Sequence, residues 1–247
     1  MKKCRADELL CLRGHCAEKE EAAILIMAGK VRTSADNVVR KPSEMLGLES
    51  PLLVDSGCPY VSRGAMKLKD ALEKNAPDLS GMICGDIGAS TGGFTDLMLS
   101  KNAAKVYAVD VGKGLLHWKL RTDKRVEVRE GVNAKLLSKE IIQDELDMLV
   151  MDVSFISCTR ILPSADPLLK KDAKIFILVK PQFEAGRENI GKGGIVKDKD
   201  GKIKEAVFEK IKKEALKNGF SLIKTAPSPI VGGDGNTEYL ALFERSV

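Results

Sequence analysis

Charged residues that end or flank apolar runs carry the chemistry this sequence can do. Asp152 ends the run Leu149-Val150-Met151-Asp152, and Lys180 ends Ile177-Leu178-Val179-Lys180. A charge at the edge of a core is costly unless it is paired or put to use. An acid and a lysine ending two buried strands therefore form either a structural ion pair or a reacting pair. Lys67, in Ser62-Arg63-Gly64-Ala65-Met66-Lys67, and Glu238, in Gly235-Asn236-Thr237-Glu238-Tyr239, are candidates to join them; each alone reads as a surface charge.

Upstream, Cys84-Gly85-Asp86-Ile87-Gly88-Ala89-Ser90-Thr91-Gly92-Gly93-Phe94-Thr95 links an apolar run to a helical pattern. Strand, glycine turn and helix make the nucleotide-binding corner of a doubly wound sheet. The turn reads D-x-G-x-x-x-G-G, not G-x-G-x-x-G. A dinucleotide site leaves the helix N-terminus open for a pyrophosphate. A carboxylate at the strand end, Asp86, suits instead a ligand with a cationic or amine-bearing end and no phosphate, such as S-adenosylmethionine. Asp110 ends the next apolar run, at the spacing that suits a bidentate contact to a ribose diol. Asn133, after a weak third strand, is a candidate adenine contact and equally a plain loop residue. Together Asp86, Gly88, Ser90, Gly92, Gly93, Phe94, Asp110, Asn133 and Asp152 mark a nucleoside site, without separating NAD from S-adenosylmethionine.

The elements that must position these residues alternate. Strands are expected at 82–87, 105–110, 127–129, 148–153, 174–179, 221–225 and 239–243. Helices are expected at 65–75, 94–101, 116–121, 138–143, 159–169 and 202–218. That alternation argues an α/β fold with a mostly parallel, doubly wound sheet covered on both faces. No helix separates the last two strands, so they pair antiparallel. Before this lie two short helices, 7–13 and 19–28, and short strands at 30–32, 38–40 and 52–54, a small α+β module. The linker is expected in Asp55-Ser56-Gly57-Cys58-Pro59, which divides the chain into 1–57 and 58–247. The glycine-bearing stretch 184–202 reads as a lid or a surface loop.

The chain has 247 residues, 44% hydrophobic and 30% charged, as expected of a soluble globular protein. No apolar run reaches the roughly 20 residues of a membrane span, and no secretory signal is evident, so a cytoplasmic protein is expected. Six cysteines (Cys4, Cys11, Cys16, Cys58, Cys84 and Cys158) form no C-x-x-C pair, and only His15 and His117 could assist them. No metal site is expected from that ligand supply. Residues 1–60 hold nine basic and nine acidic side chains, so the net charge of +5 lies entirely beyond them. Nucleic-acid binding would then rest on a local patch.

Two resemblances sharpen these expectations. The pattern Arg5-x-Asp7-x-Leu9-Leu10, Arg13-Gly14, Ala22-x-x-Leu25-Ile26-x-x-Gly29-Lys30-Val31 resembles the S4 RNA-binding domain. It departs where that family often has Ser-Arg, reading Glu18-Lys19-Glu20-Glu21. The segments 86–95, Val61-Ser62-Arg63-Gly64-Ala65, Val153-Ser154-Phe155-Ile156-Ser157, Lys180-Pro181-Gln182-Phe183-Glu184 and Gly235-Asn236-x-Glu238-Tyr239 resemble the TlyA family over nearly the whole chain. That family joins an S4 domain to an FtsJ-like class I methyltransferase, modifies ribose 2′-hydroxyls of ribosomal RNA, and also carries the haemolysin name. The resemblance implies S-adenosylmethionine as cofactor, ribosomal RNA or a ribosomal subunit as partner, a cytidine as target, and a Lys67–Asp152–Lys180–Glu238 tetrad. It implies RNA contacts from Arg5, Arg13, Lys19, Lys30, Arg32, Arg63 and Arg187. The alternatives are a ribosome assembly factor that binds RNA without catalysis, a lytic protein, and an NAD dehydrogenase. An ordinary lysine is protonated at neutral pH, so Lys180 is either a base or a group that orients the hydroxyl.

Overall fold

The computed structural model describes residues 3–16, 18–34, 37–54, 58–198, 200–232 and 235–246. Residues 55–57 of the expected linker lie outside these. The chain divides into two compact units, Met1–Pro59 and Tyr60–Val247.

The first unit runs β1 (Lys3–Arg5), α1 (Ala6–Leu12), α2 (Lys19–Met27), β2 (Val31–Ser34), β3 (Asn37–Val38), β4 (Met45–Gly47) and β5 (Leu53–Val54). Ala6, Leu9 and Leu10 share one face of α1 and pack on Ala22 and Ile26 of α2, and Val31 closes this core. Gly29 ends α2 with φ +70°. β1 pairs with β4, and β2 lies between β3 and β5. β1 and β4 were not expected.

The second unit continues with α3 (Ala65–Asn75), β6 (Ile83–Ile87), α4 (Gly93–Ser100), β7 (Lys105–Asp110), α5 (Trp118–Arg121), β8 (Val126–Glu130), β9 (Leu146–Met151), α6 (Leu162–Ala165), β10 (Leu169–Val179), α7 (Pro181–Glu184), α8 (Lys202–Lys217), β11 (Phe220–Pro227) and β12 (Tyr239–Arg245). Seven strands form one sheet in the order β11-β12-β10-β9-β6-β7-β8. β6 to β10 are parallel, and β12 runs antiparallel to both β10 and β11. Both faces are buried. Cys84, Val106, Met148, Val150 and Phe176 pack under Leu68, Leu72, Phe94 and Leu97. Tyr107, Leu149, Met151, Ile175 and Ile177 pack on Ile161, Leu162, Val207 and Ile211. Period-2 alternation between two apolar layers explains why the strands read as unbroken apolar runs.

Two expected helices are corrected. Residues 138–143 make only one turn, with Ile141 and Ile142 N–H both donating to the Ser138 carbonyl at 3.0 Å. Two adjacent isoleucines give no stripe at helical spacing. Residues 159–169 break into the short helix α6 and single 3₁₀ turns at Cys158–Arg160 and Asp166–Leu168. Pro163 and Pro167 remove the N–H groups a continuous helix needs, and Leu169 is already paired with Leu146 in the sheet.

Candidate active site

The glycine turn is shaped by close approach. Gly88 has φ +85°, and a Cβ there would lie 2.2 Å from the Asp152 carbonyl oxygen. The backbone can therefore pass from β6 against the end of β9, where Asp152 N–H donates to the Ile87 carbonyl at 2.9 Å. Gly92, with φ +95°, turns the chain into α4 beside Leu116 and Leu120. Gly93 lets the segment before α3 lie on α4, since its Cβ would meet the Ala65 nitrogen at 2.9 Å. Asp96 of α4 accepts from Val61 N–H at 2.8 Å. These contacts seat α3 and so place Lys67.

A cavity of about 580 Å³ opens at the carboxyl ends of β6, β7 and β9. Gly88, Ser90, Asp110, Asn133 and Asp152 line it, with Ser154 and Phe155 beyond them. Asp110 accepts from Ser90 N–H (2.8 Å, Oδ2) and Gly112 N–H (2.7 Å, Oδ1). Each oxygen keeps lone-pair capacity for a further donor. Asn133 Oδ1 accepts from Lys135 N–H at 3.1 Å, and its amide nitrogen has no partner among the described residues. Glu130 secures the wall containing Leu115: its carboxylate accepts from Arg121 and from Gly114, Leu115 and Leu116 N–H. Those donors, the Arg121 guanidinium foremost, hold its pKa down to about 2.

Asp86 does not line this cavity, nor do Gly92, Gly93 and Phe94. Asp86 is 1% exposed beneath the turn, and its Oδ2 accepts from Thr95 Oγ1 at 2.6 Å. Its Oδ1 is buried without a partner. Burial pushes the carboxyl up to about 7, with Asp152 and Asp110 adding to the rise and the Thr95 bond opposing it.

Lys67, Asp152, Lys180 and Glu238 come together. Asp152 follows β9 and Lys180 follows β10, whereas Glu238 precedes β12; because β12 runs the other way, all three reach one edge of the sheet. Lys67 comes down from α3. Lys180 Nζ lies 2.5 Å from Asp152 Oδ1, and Lys67 Nζ lies 2.6 Å from Glu238 Oε2 and 3.9 Å from Asp152 Oδ2. All four side chains are largely shielded, from 4% exposure at Glu238 to 22% at Asp152. Gly232 leaves room for Glu238, whose Oε1 lies 2.7 Å from where a Cβ would stand. Such an arrangement can grip a hydroxyl between ammonium and carboxylate groups and relay its proton.

Ser154 belongs to this site and was missed. Lys180 Nζ donates to its Oγ at 2.9 Å; the signal was its place two residues beyond Asp152 in the sequence. Asn236, 4% exposed, was also missed. Its amide accepts from Val196 N–H and donates to the Gly194 carbonyl, both at 2.9 Å, tying the glycine-bearing loop to the Glu238 segment.

The expected RNA contacts fall into two groups. Arg5 pairs with buried Asp7 at 2.5 Å, Lys19 pairs with Glu8 at 2.7 Å, and Arg13 holds the Leu48 carbonyl. Arg32 is engaged as well. Lys30, Arg63 and Arg187 have no ion-pair partner among the described residues, and Arg63 and Arg187 are exposed. Among the described residues, no group of three or more His, Cys, Asp or Glu is placed to hold a metal, and no helix is long and apolar enough to cross a membrane.

Residues 60–245 match the family model of FtsJ-like methyltransferases. The chain is 42% identical over 240 residues to the 16S/23S rRNA (cytidine-2'-O)-methyltransferase TlyA of Mycobacterium tuberculosis, covering 96% of this chain and 88% of that protein. It is 39% identical to Hemolysin A of Brachyspira hyodysenteriae over 240 residues, 97% of this chain and 99% of the relative. A solved Streptococcus thermophilus chain carrying the hemolysin name superposes with a TM-score of 0.74 at 41% identity, covering 100% of this chain and 90% of that one. The sheet, with its one reversed inner strand, is the class I methyltransferase fold that the resemblance implied.

Proposed function

The chain belongs to the TlyA family of FtsJ-like methyltransferases, and from that premise we propose that it methylates a ribose 2′-hydroxyl, that of a cytidine in small- or large-subunit ribosomal RNA, with S-adenosylmethionine as the donor. The observation that carries this reading is the paired quartet Lys67–Glu238 and Lys180–Asp152, which meets a nucleoside-sized cavity at Asp152. The residues present fit the donor. The cavity lies within the roughly 300–1,000 Å³ of small-molecule sites. Asp110 has capacity for both hydroxyls of a ribose diol, and the free Asn133 amide suits an adenine nitrogen. Lys135 is the one cationic side chain among the described residues that line it, too few to cradle a pyrophosphate.

When bound, the sulfonium supplies an electrophilic methyl group. The protein's part is to hold the attacking oxygen in line with it. Lys180 and Asp152 grip the 2′-hydroxyl, and Ser154 fixes the direction of the Lys180 ammonium. As the new bond forms, the hydroxyl proton leaves toward the Lys180–Asp152 pair. Lys67 joins the Glu238 and Asp152 carboxylates, and these position the ribose. The first unit serves as the RNA grip, and the enzyme works in the cytoplasm, where its substrate is made.

The test is to map 2′-O-methylated positions in ribosomal RNA with and without the protein, using labelled donor. Lys180→Ala is expected to cut transfer by about 10²–10⁴-fold with donor binding by calorimetry intact. Near-normal transfer by that variant would remove Lys180 from the mechanism. No transfer by the unsubstituted protein, to either naked RNA or subunits, would remove the function.

A further inference from the structure

Beside the donor cavity lies a second one of about 500 Å³, and the two share Phe155 and Ile156 as a common wall. Phe155 is 91% exposed and sits in the left-handed region with φ +64°. A bulky residue is strained there, and a ring left this exposed gains little from burial. Such strain persists at sites where the geometry serves a ligand. Phe183, in the short helix that follows Lys180, meets Phe155 with ring centroids 5.0 Å apart and planes tilted by 50°.

Cations complete this cavity. Arg160 is exposed and has no partner among the described residues. Lys210 donates to the Glu184 carbonyl at 2.9 Å and lies 3.9 Å from Glu184 Oε2, so it is partly offset but keeps further N–H groups to give. Glu214 at the rim is paired with Lys217 at 2.6 Å, so its charge is offset. Buried Glu184 stiffens the arrangement by accepting from Cys158 N–H at 2.8 Å, which fixes the turn bearing Arg160. An aromatic face beside a free guanidinium is the chemistry that takes a nucleotide, with base on ring and phosphate on cation.

We propose that this second cavity binds the nucleotide adjoining the methylated one, its base against Phe183 and Phe155 and its phosphate on Arg160 with Lys210. The proposal rests on the function given above. It makes the RNA single-stranded and splayed at the target, since a stacked helix cannot send neighbouring nucleotides into two separate cavities.

The experiment uses the full chain, ribosomal RNA and labelled donor. Arg160→Ala is expected to raise the KM for RNA about 10-fold, with kcat at saturating RNA and donor Kd unchanged. The dependence of log KM on log salt should flatten by about 0.7, the slope of one phosphate contact on a single strand. Phe183→Leu should raise the RNA KM with the salt slope intact. Unchanged RNA KM in both variants overturns the proposal, as does a loss in Arg160→Ala confined to donor binding. Arg160→Lys, which keeps the charge, should recover the salt slope; failure to do so overturns the phosphate assignment. Absence of transfer by the unsubstituted protein would instead overturn the function, so the two failures are distinct.

Discussion

Gly88→Ala tests whether the turn and the reacting carboxylate are one mechanical unit. The new Cβ would stand 2.2 Å from the Asp152 carbonyl oxygen, whereas ordinary contacts begin at 3.4 Å. Packed strand ends cannot absorb that by a side-chain rotation, so one backbone must retreat by roughly 1 Å. The left-handed φ adds about 1–3 kcal/mol of strain. In a unit of this size 1 kcal/mol shifts Tm by about 2–4 °C, so a fall of roughly 2–12 °C is expected. The catalytic effect is of comparable size. Displacing Asp152 by about 1 Å relative to Lys180 and the donor should lower kcat on the order of 100-fold. Labelled methyl transfer at saturating RNA and donor measures the one, and thermal unfolding the other. A variant that unfolds several degrees lower yet turns over normally would refute the coupling between turn and carboxylate.

Two further outcomes follow from carboxyl groups. Asp86 has its folded pKa raised to about 7 from an ordinary 3.8, so the folded state binds the extra proton between those values. Stability should therefore fall as pH rises from 4 to 7, by on the order of 4 kcal/mol, and urea unfolding of Asp86→Asn should lack that slope; equal slopes would show the carboxyl to be solvated. Glu130 has its folded pKa lowered to about 2 from 4.5, so its stabilisation is full above pH 4.5 and is lost as pH falls toward 2. Glu130→Gln should melt below the unsubstituted protein at pH 7, with the gap closing by pH 2; a gap independent of pH would rule out the charged contacts.

Asp110, Asp152 and Lys180 were legible because a strand buried on both faces is an apolar run, and the charge ending it marks the ligand edge of the sheet. Lys67 and Glu238 had no such local signal. One sits on a helix at ordinary amphipathic spacing and the other precedes its strand, so each alone read as a surface charge and the resemblance carried their place in a tetrad. Asp86 was identified correctly as a strand-end acid, but its position beneath the turn was not legible, because burial depends on how Thr95 and α4 close over it. Nothing about a phenylalanine announces the left-handed backbone of Phe155. The helices expected at 138–143 and 159–169 failed for the reasons given, a missing stripe and two prolines.

The single reversal of direction in the sheet has a consequence for how such a protein is assembled. Had β12 run with its neighbours, the residue before it would lie at the opposite edge, roughly 20 Å away along a seven-residue strand. Lys67 would then keep only its 3.9 Å approach to Asp152. The cavity is lined from β6, β7, β9 and the segments that follow them, whereas the terminal hairpin of β11 and β12 delivers the carboxylate that pairs with Lys67. On the function proposed above, the hairpin is thus the component that adds a ribose-positioning carboxylate to a donor site built without it.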